Sequence, residues 1–418
     1  MGSSSLLHAI LDPLTRTDGQ ADARYRLEAG TARWVGPLAV GVALLVLSFV
    51  GWASPELEHR FYFSYLIGWT FCLSIAVGSL FFVMIQHITK AQWSVVVRRL
   101  SEVLAYSFPL LAIASIPIWF GMHDLYHWTH AEVYDPADAH YDPVLAGKRP
   151  YLNTPFFAVR MVIYFVAWTY ISYKLYGLSV RQDVDPEGDI PSKQRTVSAW
   201  GIPVLALTSA FASYDLIMSL DPHWFSTIFG VYFFAGSFLG ALCVMTLASL
   251  LYRRGGHLRE AITKEHYHDL GKWIFGFVIF WAYIGFSQYM LYWYGNIPEE
   301  IAWFQHRTTH GWSSVSRFLI WGHFVIPFFV LLPRFTKRLL PILGLTTAWV
   351  LAMHAVDVYW MVMPVHETTW SGLHWLDFSC VLGLAAIFWA FYSYRIGRHA
   401  TVPENDPRLE LSLRFENQ

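Results

Sequence analysis

The side chains most able to do chemistry are ionisable groups that lie inside long apolar runs. Asp215 and Asp357 each lie near the end of such a run, and His354 precedes Asp357 by three residues, on the same face of a helix. A charge at membrane depth is costly unless it is paired or hydrated. Arg160 and Arg317 each precede one of the aspartates by one run, so we expect the pairs Arg160–Asp215 and Arg317–Asp357. These pairs are either parts of a proton relay or structural ion pairs between helices.

Further polar residues lie closer to the opposite ends of the runs. Glu102 and His87, together with Gln86 and Lys90, are candidates for the entrance of a proton path, or they face lipid headgroups. His323 lies in the middle of a run and has no carboxylate close to it in the sequence. It is therefore a member of the relay or a histidine of the core or lumen.

A histidine-rich segment follows the third apolar run. His123 and His127 lie one helical turn apart, a spacing that suits a metal or a quinone headgroup. With Asp124 and Asp215 they form the alternative prediction, a quinone-binding pocket, since quinol oxidation needs a base to take up protons. The acidic residues nearby lack an EF-hand pattern, and we predict no metal site.

The composition indicates a membrane protein. Of 418 residues, 55% are hydrophobic and only 14% are charged, against about 25% in an ordinary soluble chain. The 29 basic and 30 acidic residues nearly cancel, so no overall charge favours nucleic acid. The three cysteines are far apart, which argues against covalent haem, an iron–sulfur cluster or zinc held by this chain.

Ten apolar runs are long enough to cross a bilayer as helices. Most lysines and arginines fall in the loops and tails on one side, so we expect both termini in the cytoplasm. The predicted spans are 34–54, 61–85, 103–122, 155–177, 198–220, 225–252, 272–293, 312–333, 338–363 and 373–395.

The chain also contains a weak internal repeat. The third to fifth runs share aromatic, arginine and aspartate positions with the seventh to ninth. A parallel repeat predicts an all-α polytopic fold with two four-helix bundles side by side, about 61–220 and about 225–363, and peripheral helices. The membrane domain then spans 34–395, between a cytoplasmic N-terminal tail, 1–33, and a cytoplasmic C-terminal tail, 396–418.

Two stretches carry a resemblance to a known family. Residues 119–128 (WFGMHDLYHW) and 213–224 (SYDLIMSLDPHW), within the ten-span layout, resemble the NrfD/PsrC-like integral membrane subunits, and most closely the ActF-type subunits of bacterial alternative complex III. That complex is a quinol:electron-acceptor (cytochrome c) oxidoreductase. The resemblance covers nearly all of residues 34–395.

The resemblance implies a subunit of the bacterial inner (cytoplasmic) membrane without a redox cofactor of its own. Quinol is the possible ligand. Haem c and iron–sulfur clusters are expected in partners, namely cytochrome c subunits, an iron–sulfur subunit and an ActC-like ten-span subunit, with lipids around them. The implied role is proton translocation or coupling through Asp215, Asp357, Arg160 and Arg317, in a chain that is not catalytic alone.

Other functions remain open on the sequence. The chain could bind quinol directly, or serve as a passive scaffold that docks extrinsic subunits. A stand-alone secondary transporter would also have repeats and intramembrane polar groups, but equivalent broken helices in both copies are missing. A di-haem cytochrome b would need paired histidine ligands, which His87, His323 and His354 do not form by their positions.

Overall fold

The computed structural model describes residues 25–27, 32–185 and 189–417, and this part of the chain is helical without a strand. Within it, ten helices are long and apolar enough to cross a membrane, as expected for a multi-pass membrane protein. They are α1 Ala32–Trp52, α2 Glu58–Ile88, α3 Val95–Phe120, α4 Thr154–Gln182, α5 Ile190–Leu220, α6 Phe229–Arg254, α7 Lys264–Gly295, α8 Trp312–Leu331, α9 Leu340–His366 and α10 Trp375–Ile396. The predicted N-terminal tail lies almost entirely outside the described residues.

The ten predicted spans are confirmed, but three of them begin about two turns earlier than the sequence suggested. α3 starts at Val95, α5 at Ile190 and α7 at Lys264. Charged or polar side chains occupy the first turns of all three helices, so a search for apolar runs misses these turns. All three extensions lie on the side that carries most of the basic residues, which we call the basic face.

Two of the helices depart from regular α-geometry. α3 is interrupted near Ser107 and again at Ser115, each time just before a proline, so it consists of three segments. The middle of α8, Ile320–Val325, is π-helical. A π-turn inside a membrane helix often marks a functional site, because it rotates the following side chains relative to the preceding ones.

The centre of the structure is the contact between α2 and α6. α2 is almost completely buried and packs against α3, α5, α6, α9 and α10. A Cβ on Gly78 of α2 would lie 2.2 Å from the carbonyl oxygen of Ser237 on α6. The missing side chain therefore lets the two backbones touch, as small residues do in membrane helix pairs.

The C-terminal tail folds back against the basic face. Its Thr401 amide donates to the Tyr25 carbonyl oxygen over 2.8 Å, and the Ser412 hydroxyl donates to the Trp93 carbonyl oxygen over 2.9 Å. The two ends of the described chain therefore meet on one face, which agrees with an even number of membrane crossings.

A buried ionic network joins this tail to α3. Asp406 of the tail accepts from Arg98 over 2.7 Å, and Glu102 bridges Arg98 and Arg99 over 3.1 and 3.0 Å. Arg99 also pairs with Asp183, which follows α4. Every charge in the network has an opposite charge beside it, which is the condition for burying ions without a large penalty.

We predict that Asp406→Asn lowers the free energy of unfolding by about 3 kcal/mol, because it strands buried arginine charge. Burial alone would raise the pKa of Asp406, but Arg98 and Arg408 outweigh burial and hold that pKa well below its usual range. The stability difference between wild type and variant is therefore complete above about pH 4 and shrinks as the pH falls towards the depressed pKa.

Unfolding in sodium dodecyl sulfate at several pH values measures this difference. Glu410→Gln is the matched control, since Glu410 is an exposed acid of the same tail. Equal stability of the two variants at pH 7 would contradict the role of the network.

Candidate functional site

The first predicted ion pair is present. Arg160 of α4 donates from Nε and Nη2 to the two carboxylate oxygens of Asp215 on α5, each over 2.9 Å. Tyr164 adds a third hydrogen bond to Asp215 Oδ2 over 2.7 Å. Bidentate pairs of this kind are strong and geometrically specific. Asp215 is fully buried and charge-balanced, so this pair ties α4 to α5.

The second predicted ion pair is wrong. Arg317 donates to the Ser313 carbonyl oxygen over 3.2 Å and is exposed. The buried face of this part of α8 is formed by Val315 and Leu319 instead. The order of the spans led to the expected pair with Asp357, but the rotation of α8 about its own axis turns Arg317 away from that residue.

Asp357 is held by neutral donors instead. The Tyr232 hydroxyl of α6 donates to Asp357 Oδ1 over 2.5 Å, and the Trp281 indole of α7 donates to Oδ2 over 3.0 Å. Asp357 is 1% exposed, and no lysine or arginine of the described residues forms a salt bridge with it. Two neutral hydrogen bonds support a carboxylate without fixing its ionised form as an arginine does.

His354 lies one turn before Asp357 in a slot made by two glycines. Its Nε2 is 2.8 Å from the Ser74 hydroxyl of α2. A Cβ on Gly236 or Gly240 of α6 would lie 3.0 or 2.8 Å from the imidazole ring, so only glycine leaves room for the ring. The sequence signal for this slot is a pair of glycines four residues apart.

His354 and Asp357 do not hydrogen-bond to each other, but both lie against Gly236 of α6. His354 Nδ1 has no hydrogen-bond partner among the described residues. This nitrogen and Asp357 Oδ2 lie 3.2 and 3.6 Å from the position that a Cβ on Gly236 would take. The imidazole nitrogen and the carboxylate therefore lie against the same glycine of α6, one turn apart on α9.

His323 joins the same group through Trp281. Its ring lies in the π-helical turn of α8, fully buried, with its centroid 4.1 Å from that of Trp281. Neither ring nitrogen of His323 has a hydrogen-bond partner in the part of the chain that the structure describes. We call these residues of five helices the Asp357 cluster: Ser74, Tyr232, Trp281, His323, His354 and Asp357.

A cavity of about 520 Å³ opens beside the cluster, on the side away from the basic face. Tyr232 and Trp281 form part of its wall, and six further aromatic side chains line it. Gln288, Ser313 and Arg317 contribute polar groups. Its size and its apolar lining with a few polar groups are typical of small-molecule sites.

Arg307 fixes one wall of this cavity. It lies on the short helix Pro298–Thr308 and donates to the carbonyl oxygens of Trp303, Trp360 and Met361 over 2.8–3.1 Å. Its guanidinium group stacks 3.5 Å from the Trp303 ring centroid. Burial lowers the pKa of Arg307 to about 9. In the sequence, Arg307 is distinguished only as a charge between two apolar runs.

The predicted proton entrance is not assembled as expected. Glu102 belongs to the ionic network with Arg98 and Arg99. His87 is buried and neither ring nitrogen has a partner among the described residues, while Gln86 is buried and Lys90 is exposed. Glu102 therefore helps to hold the C-terminal tail against α3 through Arg98, and His87 lies near this ionic network.

The alternative quinone pocket is not assembled as one site, because His123 and His127 both contact His130 at the surface while Asp215 is buried against Arg160. His123 and His127 are exposed, because the helix after α3 ends at Leu125 and the chain is extended at Tyr126. The His123 ring stacks on that of His130 with centroids 3.8 Å apart. Asp124 is partly exposed, whereas Asp215 is enclosed between α4 and α5. Within the described residues no three His, Cys, Asp or Glu side chains converge on a metal position.

Comparison with models of known protein families and with curated proteins gave no match for this sequence.

The two buried aspartates should differ in how their removal affects stability. Asp215→Asn leaves Arg160 as an uncompensated buried charge, so we predict a loss of about 3 kcal/mol in the free energy of unfolding. Asp357→Asn leaves no buried cation without a partner, and asparagine has the size of aspartate and can still form hydrogen bonds. We therefore predict that the free energy of unfolding changes by less than about 1 kcal/mol. Unfolding in sodium dodecyl sulfate compares the variants.

The double variant Arg160→Met with Asp215→Leu is the control, since removal of both charges should recover most of the loss. If Asp357→Asn destabilised the chain as strongly as Asp215→Asn, the distinction between the two aspartates would be wrong.

Proposed function

We propose that this chain is an ActF-like membrane subunit of a bacterial alternative complex III, and that its Asp357 cluster moves protons when the complex oxidises quinol. The observation that carries the proton role is a buried carboxylate held by two neutral donors beside a histidine with an unpartnered nitrogen. A proton carrier must exist in both protonation states at moderate cost. Asp357, held by neutral donors, suits this requirement, whereas Asp215 is bound in a bidentate ion pair with Arg160.

The position of the cluster suits transfer towards the side away from the basic face. Ser74 lies near the middle of α2, and Asp357 lies about 4.5 Å further along α9 than His354. The cavity begins beyond Tyr232 and Trp281. A proton that passes from His354 to Asp357 therefore moves from the middle of the helices towards the cavity.

The helix contacts support the proposed pair of four-helix bundles. α3 packs on α2 and α4, and α4 packs on α5. α7 packs on α6 and α8, and α9 packs on α6. We propose that α2–α5 and α6–α9 are the two bundles, joined at α2 and α6, with α1 and α10 peripheral. The excess of positive charge on the basic face favours a cytoplasmic location for both termini, in the bacterial inner membrane.

The proposed assembly leaves the redox groups to other chains. An iron–sulfur subunit, cytochrome c subunits and an ActC-like ten-span subunit carry electrons from quinol to the acceptor in this proposal. The present chain contributes the buried titratable groups and, on the side away from the basic face, structured loops such as Pro143–Lys148 and Pro298–Thr308 that suit docking.

The cavity supports a second candidate function, direct binding of quinol in the second bundle. Aromatic side chains such as Phe286, Trp303 and Phe304 can enclose a planar ring, and the Tyr232 hydroxyl connects the cavity to Asp357. Oxidation of a quinol releases two protons and two electrons. Asp357 would accept one proton, the second would pass to water at the mouth of the cavity, and the two electrons would pass to a partner subunit.

We predict that Asp357→Asn in the intact complex lowers proton release per electron without loss of assembly, because asparagine can accept from Trp281 and donate to Tyr232 but cannot carry a proton. Quinol turnover and proton release are recorded together in sealed vesicles. Preserved turnover with a lower proton yield supports proton coupling, and lost turnover together with lost labelling by a photoreactive quinone supports the quinol site. Unchanged turnover and proton yield would contradict both roles and leave a scaffold.

Asp124→Asn is the matched control in the same vesicles. Asp124 is an aspartate on the same side of the membrane domain but lies apart from the Asp357 cluster, so we expect wild-type proton release. A larger defect in Asp124→Asn than in Asp357→Asn would return the site to the histidine-rich segment. Substrate uptake by the chain alone in vesicles would instead indicate a transporter.

A further inference from the structure

Two grooves on the basic half of the membrane domain share one wall. The first, about 840 Å³, lies among α2, α6, α9 and α10, and the second, about 620 Å³, lies among α1, α6 and α10. Leu251, Arg254 and Trp389 line both. The two grooves therefore lie on opposite sides of a wall formed by these three side chains, and Arg254 is the arginine that they share.

Both grooves are apolar along their length and basic at one end. Leucine and phenylalanine side chains from four helices line the first groove, and Arg253, Arg254 and Arg259 lie at its end on the basic face. The second groove ends at Arg33, Arg254, His257 and Arg398. The arginines lie where α6 and α10 end, at the depth where lipid headgroups meet the hydrocarbon core.

Most of the positive charge at the first groove is not used by the protein. Arg253 donates to the carbonyl oxygens of Arg259 and Ile262 and so shapes the loop after α6. The side chains of Arg254 and Arg259 are exposed and form no hydrogen bond or salt bridge within the described residues. Glu260 is the acid next to them in the sequence, and it is exposed as well. The unpaired positive charge of Arg254 and Arg259 at this end of the groove favours binding of an anion.

We propose that an anionic phospholipid occupies these grooves, with its phosphate between Arg254 and Arg259 and its acyl chains along the apolar walls on either side of Trp389. Charge complementarity selects the headgroup, since basic pockets between helices on a positively charged face bind anionic lipids. The apolar walls select a ligand with acyl chains, because a free phosphate would leave them uncovered. The lipid also fills the seam between α9 and α10.

The test uses the delipidated complex or full chain in detergent, with phosphatidylglycerol or phosphatidylcholine added in mixed micelles. Native mass spectrometry counts the bound lipids, and thermal unfolding gives the shift in Tm. We expect phosphatidylglycerol to bind at least tenfold more tightly than phosphatidylcholine. Glycerol phosphate, which has the headgroup charge but no chains, should give no shift in Tm.

The variant Arg254→Gln with Arg259→Gln should bind phosphatidylglycerol about 30-fold more weakly, because each arginine near a lipid phosphate contributes to affinity. Both side chains are exposed and unpaired, so the variant is expected to fold. Lys193→Gln with Lys264→Gln is the control, since it removes the same charge from exposed positions of the same face outside the grooves.

Three results would overturn the proposal. Equal binding of the two lipids would mean that the grooves take lipid without regard to charge. Wild-type binding of phosphatidylglycerol by the arginine variant would place the lipid elsewhere. If a crosslinking residue placed at position 254 or 259 reacted with another subunit in the native complex, a protein rather than a lipid would cover this face.

Discussion

The close contact of α2 with α6 is the constraint on which the central site depends. Gly78 lets the two backbones touch, and the same stretch of α6 supplies Gly236 and Gly240, which leave a slot for His354 of α9. Ser74, one turn from Gly78, then reaches the imidazole. A larger side chain at any of these glycines would separate the helices that carry the titratable groups.

The two buried aspartates show how one kind of residue takes different roles in similar surroundings. Asp215 has a bidentate arginine and a tyrosine, so its charge is neutralised within the structure. Asp357 has a tyrosine and an indole, which stabilise it through hydrogen bonds without adding a charge. An ion pair of the first kind fixes two helices, and a carboxylate of the second kind remains able to bind a proton.

Some of this arrangement could be predicted from the sequence. The ten helices follow from apolar runs that can satisfy their backbone hydrogen bonds only within themselves. The Arg160–Asp215 pair follows from neighbouring antiparallel helices. Arg317 and Asp357 stand in the same sequence relation, but the rotation of α8, with its π-helical turn, depends on packing that spacing does not record.

Other features depend on contacts between distant parts of the chain. Asp406 joins Arg98 across more than three hundred residues, in a tail that has no apolar pattern. Tyr232 and Trp281 are two of 23 tyrosines and 20 tryptophans, and nothing in the sequence distinguishes them. Only the fold shows which aromatic side chains meet the carboxylate.

The central claim is that Asp357 changes its protonation state during turnover and that the Arg160–Asp215 pair is not needed for this change. Infrared difference spectroscopy of the complex, with and without quinol, measures this directly through the carbonyl stretch of a protonated carboxyl group. A difference band that disappears in Asp357→Asn and persists in the double variant Arg160→Met with Asp215→Leu is the predicted result. A band that persists in Asp357→Asn, or the absence of any such band in the wild type, would contradict the account.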